Sequence, residues 1–142
     1  MSTRSHIGII NNDNTVSYIY CHFDGYPEYN GSILLEHYNN EGIVNKLLDN
    51  GNLSILAENI DPSPDKPHNF GKPQDGVCVY YSRDRNEKQQ EKKTVNNDTE
   101  YKLKMRNSWV DYQYLFDNGQ WKYRQLGTQW NQLTPKICKI SL

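Results

Sequence analysis

The chain carries no surplus of either charge, few cysteines and no long apolar run, and each shortage excludes a class of function. Sixteen Lys and Arg stand against seventeen Asp and Glu in 142 residues, so no global field draws duplex nucleic acid or an acidic membrane to it. No apolar stretch approaches the ~20 residues of a membrane-spanning helix. Cys21, Cys78 and Cys138 are odd in number and far apart, whereas a secreted disulfide framework shows an even count at tight spacing. There is no CxxC, and His6, His22, His37 and His68 form no HxxxH or HExxH pair. That argues against a structural zinc site, and no metal or cofactor is expected. The opening MSTRSHIGII lacks the basic and continuous apolar regions of a signal peptide, so a cytoplasmic location is expected.

What is present is aromatic. Eleven Tyr, three Trp and three Phe make 12% of a chain whose hydrophobic fraction is only 35%. Each buried ring removes roughly 150–250 Å² from water, so few residues suffice for a core. The length fits one domain over 1–142.

Residues 4–11 and 16–23 read as two strands joined at Asn12-Asp13-Asn14-Thr15, since Asn and Asp tolerate the backbone of tight turns. Alternation sends Ile7, Ile9, Ile19, Cys21 and Phe23 to one face, and Arg4, His6, Tyr18, Tyr20 and His22 to the other. Cys21 and His22 therefore point apart and do not form a local nucleophile and base. Helices are expected from Asn30 or Ser32 to about Asn39 and from Glu41 to Asp49, the second stopped by Asn50-Gly51. Four prolines between Asp61 and Gly76 forbid regular structure there. A third strand is expected over 77–83, and a hairpin over 110–126 around Asp117-Asn118-Gly119. The polar stretch 84–97 reads as a solvated loop or exposed helix, and 101–105 as a short strand or helical turn. Trp130, Leu133, Ile137 and Ile140 give the tail enough apolar surface to dock on the body or on a partner. The expected fold is α+β: an antiparallel sheet of about five strands with two helices packed on one face.

The pieces TRSHI at 3–7, IYCHFDGYP at 19–27, LLEHY at 34–38 and RDR at 83–85 together resemble a family of small proteins of tailed bacteriophages and prophages. Its members share a TRS-type start, an IYCHxDGYP-like run, an LLEHY-like helix and an RDR-type motif after a strand. The resemblance covers residues 1–85 and, more loosely, 110–124. It brings no activity and no catalytic residue with it, but implies a phage gene product acting in the host cytoplasm.

Chemistry-bearing residues gather on the second sheet face. Arg4, His6, Tyr20 and His22 fall there with Tyr18, and Tyr81, Arg83 and Arg85 join them if the third strand runs alongside. Asp24 and Tyr26 follow on the loop beyond His22. Arg forks suit phosphate, Tyr rings suit bases, and a carboxylate suits a ribose hydroxyl or base amine. The same residues also make an ordinary half-exposed strand face, with Arg83-Asp84-Arg85 as an ion-pair network. The functional expectation is a counter-defence protein that binds a small nucleotide signal of the host, of cyclic ADP-ribose or cyclic oligonucleotide type, without turnover and as a homo-oligomer. One alternative is a protein-binding inhibitor of a host defence enzyme such as a nuclease, its surface built by the Pro-rich loop, Tyr29 and the apolar tail with Trp130. Another is a small enzyme that degrades a nucleotide signal.

Overall fold

The computed structural model describes residues 2–106 and 108–140. Its sheet begins with the hairpin β1 (Ser5–Ile10) and β2 (Val16–Cys21), in the register that pairs Ile7 with Ile19 and His6 with Tyr20. The turn closes because Asn14 takes a left-handed backbone and the Asp13 carboxylate accepts from Thr15 N–H and Oγ1. Alternation then buries Ile7, Ile9, Ile19 and Cys21 completely on one face.

A π-helical turn, Pro27–Gly31, leads into α1 (Ser32–His37), and Ser32 Oγ donates back to Glu28 O at 2.9 Å. The helix α2 (Glu41–Asp49) starts where the Asn40 side chain accepts from Ile43 N–H at 3.0 Å. It stops before Gly51, whose φ of +85° and closeness to the Gln90 carbonyl leave no room for a side chain. Val44, Leu47 and Leu48 of α2 and Leu34 and Tyr38 beside it bury against the sheet. Short pieces follow: β3 (Leu53–Ile55), β4 (Val79–Tyr80), α3 (Tyr81–Arg85), β5 (Lys93–Val95) and α4 (Asp98–Leu103). The hairpin β6 (Tyr112–Asp117) and β7 (Gln120–Gln125) turns on Asn118 and Gly119, both left-handed at φ +51° and +80°, as a two-residue hairpin loop requires. Then come β8 (Asn131–Gln132) and α5 (Pro135–Cys138).

The class is α+β, but the sheet differs from the expected five antiparallel strands. Among the described residues it has eight strands in the order β4-β3-β2-β1-β6-β7-β8, with β5 also paired to β2. Two pairings, β1 with β6 and β2 with β3, are parallel. Hairpin signals report only chain-adjacent antiparallel partners, whereas a parallel pair needs a long crossover that leaves no local mark. The three strands beyond those expected, β3, β5 and β8, span two or three residues each, too short for alternation to show.

The third strand is also corrected. Only Val79–Tyr80 is extended, and the chain turns into α3 because the Asp84 carboxylate reaches back to accept from Tyr80 N–H at 2.8 Å. Helices α1 and α2 share one face, joined by the tail, but among the described residues there are five short helices rather than the two expected. Leu133 N–H bonds Trp121 O and Ser32 Oγ bonds Cys138 O, so the tail docks on its own body. The loop 61–76 lacks regular structure but is pinned by His68, whose Nδ1 accepts from Gln74 N–H while Nε2 donates to Cys78 O. On the opposite face β5 and α4 cover half of what the sequence reading leaves open, and Val16, Tyr18, Tyr101 and Leu115 form a second, smaller core there.

Candidate functional site

The rest of that second face is the floor of a cleft, where His6 and Tyr18 are buried and Tyr20 is half-buried. Strand alternation places His6, Tyr18 and Tyr20 side by side, and pairing of Tyr18 with Lys93 brings β5 alongside. Tyr101 of α4 anchors the far wall, with its ring 5.2 Å from Tyr18 and 6.0 Å from His6. The chain leaving α4 then crosses over the floor. The resulting cavity of about 420 Å³ is lined by His6, Tyr18, Tyr20, Asn52, Lys93, Lys104, Arg106 and Ser108. Three of these are cations and none is an acid. Among the described residues, Lys93, Lys104 and Arg106 form no ion pair with a carboxylate.

A buried hydrogen-bond chain fixes the floor. Arg124, only 5% exposed, donates through Nη1 to Gln113 Oε1 at 2.9 Å and through Nε to Thr128 O at 3.0 Å. Arginine has no acceptor, so the Gln113 oxygen must face it and the amide nitrogen must point the other way. That nitrogen donates to Tyr101 O at 2.6 Å and to His6 Nδ1 at 3.2 Å. His6 is thereby held with a bare Nδ1, and its remaining nitrogen, Nε2, carries the proton. Burial, with the Lys93 charge adding to it, pushes the His6 pKa down to about 4, so the ring is neutral at neutral pH. Burial likewise raises the Tyr18 phenol, and lifts Tyr20 to about 12 against the opposing charge of Arg4. The floor is an uncharged aromatic surface under a rim of positive charge.

Of the residues named from sequence, His6 and Tyr20 line the cleft. Arg4 and His22 lie beside it: Tyr20 Oη and His22 Nδ1 are hydrogen-bonded at 2.7 Å. The His22 pKa is lowered by burial and by the charges of Arg4 and Arg85. Arg4 Nε is buried and has no partner among the described residues. Tyr81 and Arg85 form an adjoining patch, with the Arg85 guanidinium 4.8 Å over the Tyr81 ring and 4.1 Å over Phe70.

The remaining three are elsewhere. Because 81–85 is helical, Arg83 and Arg85 do not share a strand face. Arg83 is spent on Asp84 at 2.8 and 2.9 Å and on the carbonyls of Ile60 and Cys78, which is the ion-pair alternative. Asp24 and Tyr26 sit at the turn where Gly25 O accepts from Tyr114 Oη at 2.6 Å. Tyr114 pairs with Ile7 and packs in the helix-covered core, and the Tyr26 ring lies near Tyr29.

Lys93, Lys104 and Arg106 escape a strand-by-strand reading because α4 and β5 bring them in from remote segments. One signal for two of them is in the sequence: residues 101–110 hold Lys102, Lys104 and Arg106 with no acid among them. Among the described residues no three His, Cys, Asp or Glu side chains converge as a metal site would need, and no helix is long and apolar enough to cross a membrane. Comparison with protein-family models, with curated proteins and with solved structures gives no match.

Proposed function

We propose that this protein binds a small phosphate-bearing nucleotide in the cleft and sequesters it, as a phage counter-defence protein removing a nucleotide signal of its host would. One observation carries the reading: three cations without acidic partners stand over a neutral aromatic floor, in a chain whose formal charge is −1. Tyr18 and Tyr20 supply the surface for a base, and each charge-assisted contact from the rim to a phosphate is worth about 1.5–3 kcal/mol. Sequestration fits better than turnover because the lining has no carboxylate and His6 Nδ1 is already engaged by Gln113.

The test is native mass spectrometry with a panel of cyclic nucleotides. The wild type takes up one of them, as monomer or homo-oligomer, and releases it intact on denaturation. Lys104→Ala combined with Arg106→Ala weakens that uptake about tenfold or more. Indifference to the whole panel refutes the reading, and release of a cleaved product replaces it with an enzyme.

A second reading, inhibition of a host protein, is favoured by Trp109, which is 81% exposed beside Ser108 of the rim. It requires a host complex that survives added nucleotide and is lost in Trp109→Ala.

A further inference from the structure

A second cavity, about 430 Å³, lies on the other side of the segment that follows α4. It is lined by Lys102, Leu103, Arg106, Arg124, Leu126 and Gly127. Arg106 belongs to both cavities. The two differ in chemistry: the first has an aromatic floor and a cationic rim, whereas the second sets Leu103 and Leu126 among Lys102, Arg106 and Arg124 and has no aromatic ring. Those two leucines are 51% and 60% exposed, an apolar surface that none of the described residues covers.

Each cavity alone is at the small end of the ~300–1,000 Å³ range of small-molecule sites. A single nucleotide fills one and leaves the leucines wet. A ligand with a flat ring system at each end and phosphate between them fills both, with its negative charge on the residue the two cavities share.

We propose that the ligand is a dinucleotide. One base lies on Tyr18 and Tyr20, the linking phosphates contact Arg106 with Lys104 and Lys93, and the second base lies between Leu103 and Leu126. This rests on the reading of the cleft as a nucleotide site and adds the number of bases and the place of the second.

Isothermal titration compares a cyclic dinucleotide, its linear hydrolysis product and the matching mononucleotide on the full chain. The dinucleotides bind about tenfold or more tighter than the mononucleotide, because the second base is held once the first is seated. Leu126→Ser, at an exposed position where folding does not depend on the side chain, lowers dinucleotide affinity to the mononucleotide level and leaves mononucleotide affinity unchanged. Lys93→Ala weakens all three ligands. Equal affinity for one base and two, or a Leu126→Ser effect of the same size on both, overturns the dinucleotide proposal while the cleft reading stands. Binding of none of the three overturns both.

Discussion

His6 makes the folded protein sensitive to mild acid. Its pKa is about 4 in the native state against 6.5 for a free imidazole, so the unfolded chain takes up the proton first as pH falls. The stabilisation is therefore fully present above about pH 6.5 and is lost as the pH drops towards 4. Between those values the slope approaches ~1.4 kcal/mol per pH unit for one proton. Integrated from neutrality, the loss is about 2 kcal/mol at pH 5 and about 3 kcal/mol at pH 4. Small domains have only ~5–15 kcal/mol to lose. The groups facing His6 are Tyr18, Tyr101, Lys93 and, through Gln113, Arg124. Burial raises the Tyr18 and Tyr101 phenols, so both stay uncharged across that window. Urea unfolding followed by tryptophan fluorescence, repeated at half-unit steps across the window, measures it. Subtracting the same series for His6→Gln removes the background from carboxylates and from His22. The wild-type midpoint falls with acid more steeply than the variant's. Parallel curves refute both the low pKa and the Gln113 orientation from which the neutral ring follows.

Three further outcomes follow from the geometry. Asp84→Ala strips Arg83 of its paired oxygens and leaves Tyr80 N–H without its acceptor; breaking a pair with one deeply buried member costs about 3–5 kcal/mol, read as a fall in urea midpoint. Gly119→Val forces a β-branched residue to φ +80° in an open turn, so a loss of about 1 kcal/mol or more is expected from backbone strain without any clash. Asn40→Ala removes the side-chain acceptor of Ile43 N–H at the start of α2 and costs about 1 kcal/mol, whereas Asn40→Asp retains most of that stability.

The parts of the fold that local chemistry dictates were readable. Asn-Gly at 118–119 specifies a two-residue hairpin turn, the alternation of 5–10 against 16–21 specifies which isoleucines are buried, and Gly51 marks the end of α2 because only a left-handed backbone fits under Gln90. What stayed hidden depends on partners far along the chain. Nothing around Ser5–Ile10 shows that β1 pairs with a strand more than a hundred residues away. The Val77–Arg83 alternation was a correct pattern overridden by one side chain, since the Asp84 carboxylate captures Tyr80 N–H and bends the strand into a helix. A buried capping contact outweighs β-propensity in a segment this short.

The same distinction explains the site. Alternation on β1 and β2 was enough to gather His6, Tyr18 and Tyr20, because they belong to one hairpin. It assigned the positive charge to Arg4, Arg83 and Arg85, none of which lines the cleft, because charge on a sheet face is set by what crosses over it. Arg83, the nearest cation in the motif, is consumed in holding α3. The rim is filled instead by Lys93, which Tyr18 recruits through β5, and by Lys104 and Arg106, which Tyr101 brings over as it buries beside His6. Tyr101 is thus a core residue with a consequence at the surface: its hydroxyl bonds Tyr114 O at 2.8 Å and fixes where α4 ends. Among the described residues Lys104 and Arg106 meet no carboxylate from elsewhere in the fold, and the segment that delivers them, 101–110, contains no acid of its own. On the proposed reading of the cleft, an acid-free basic segment that carries a buried aromatic anchor therefore points to an anion site where an Arg-Asp-Arg motif, whose own carboxylate already answers its charge, does not.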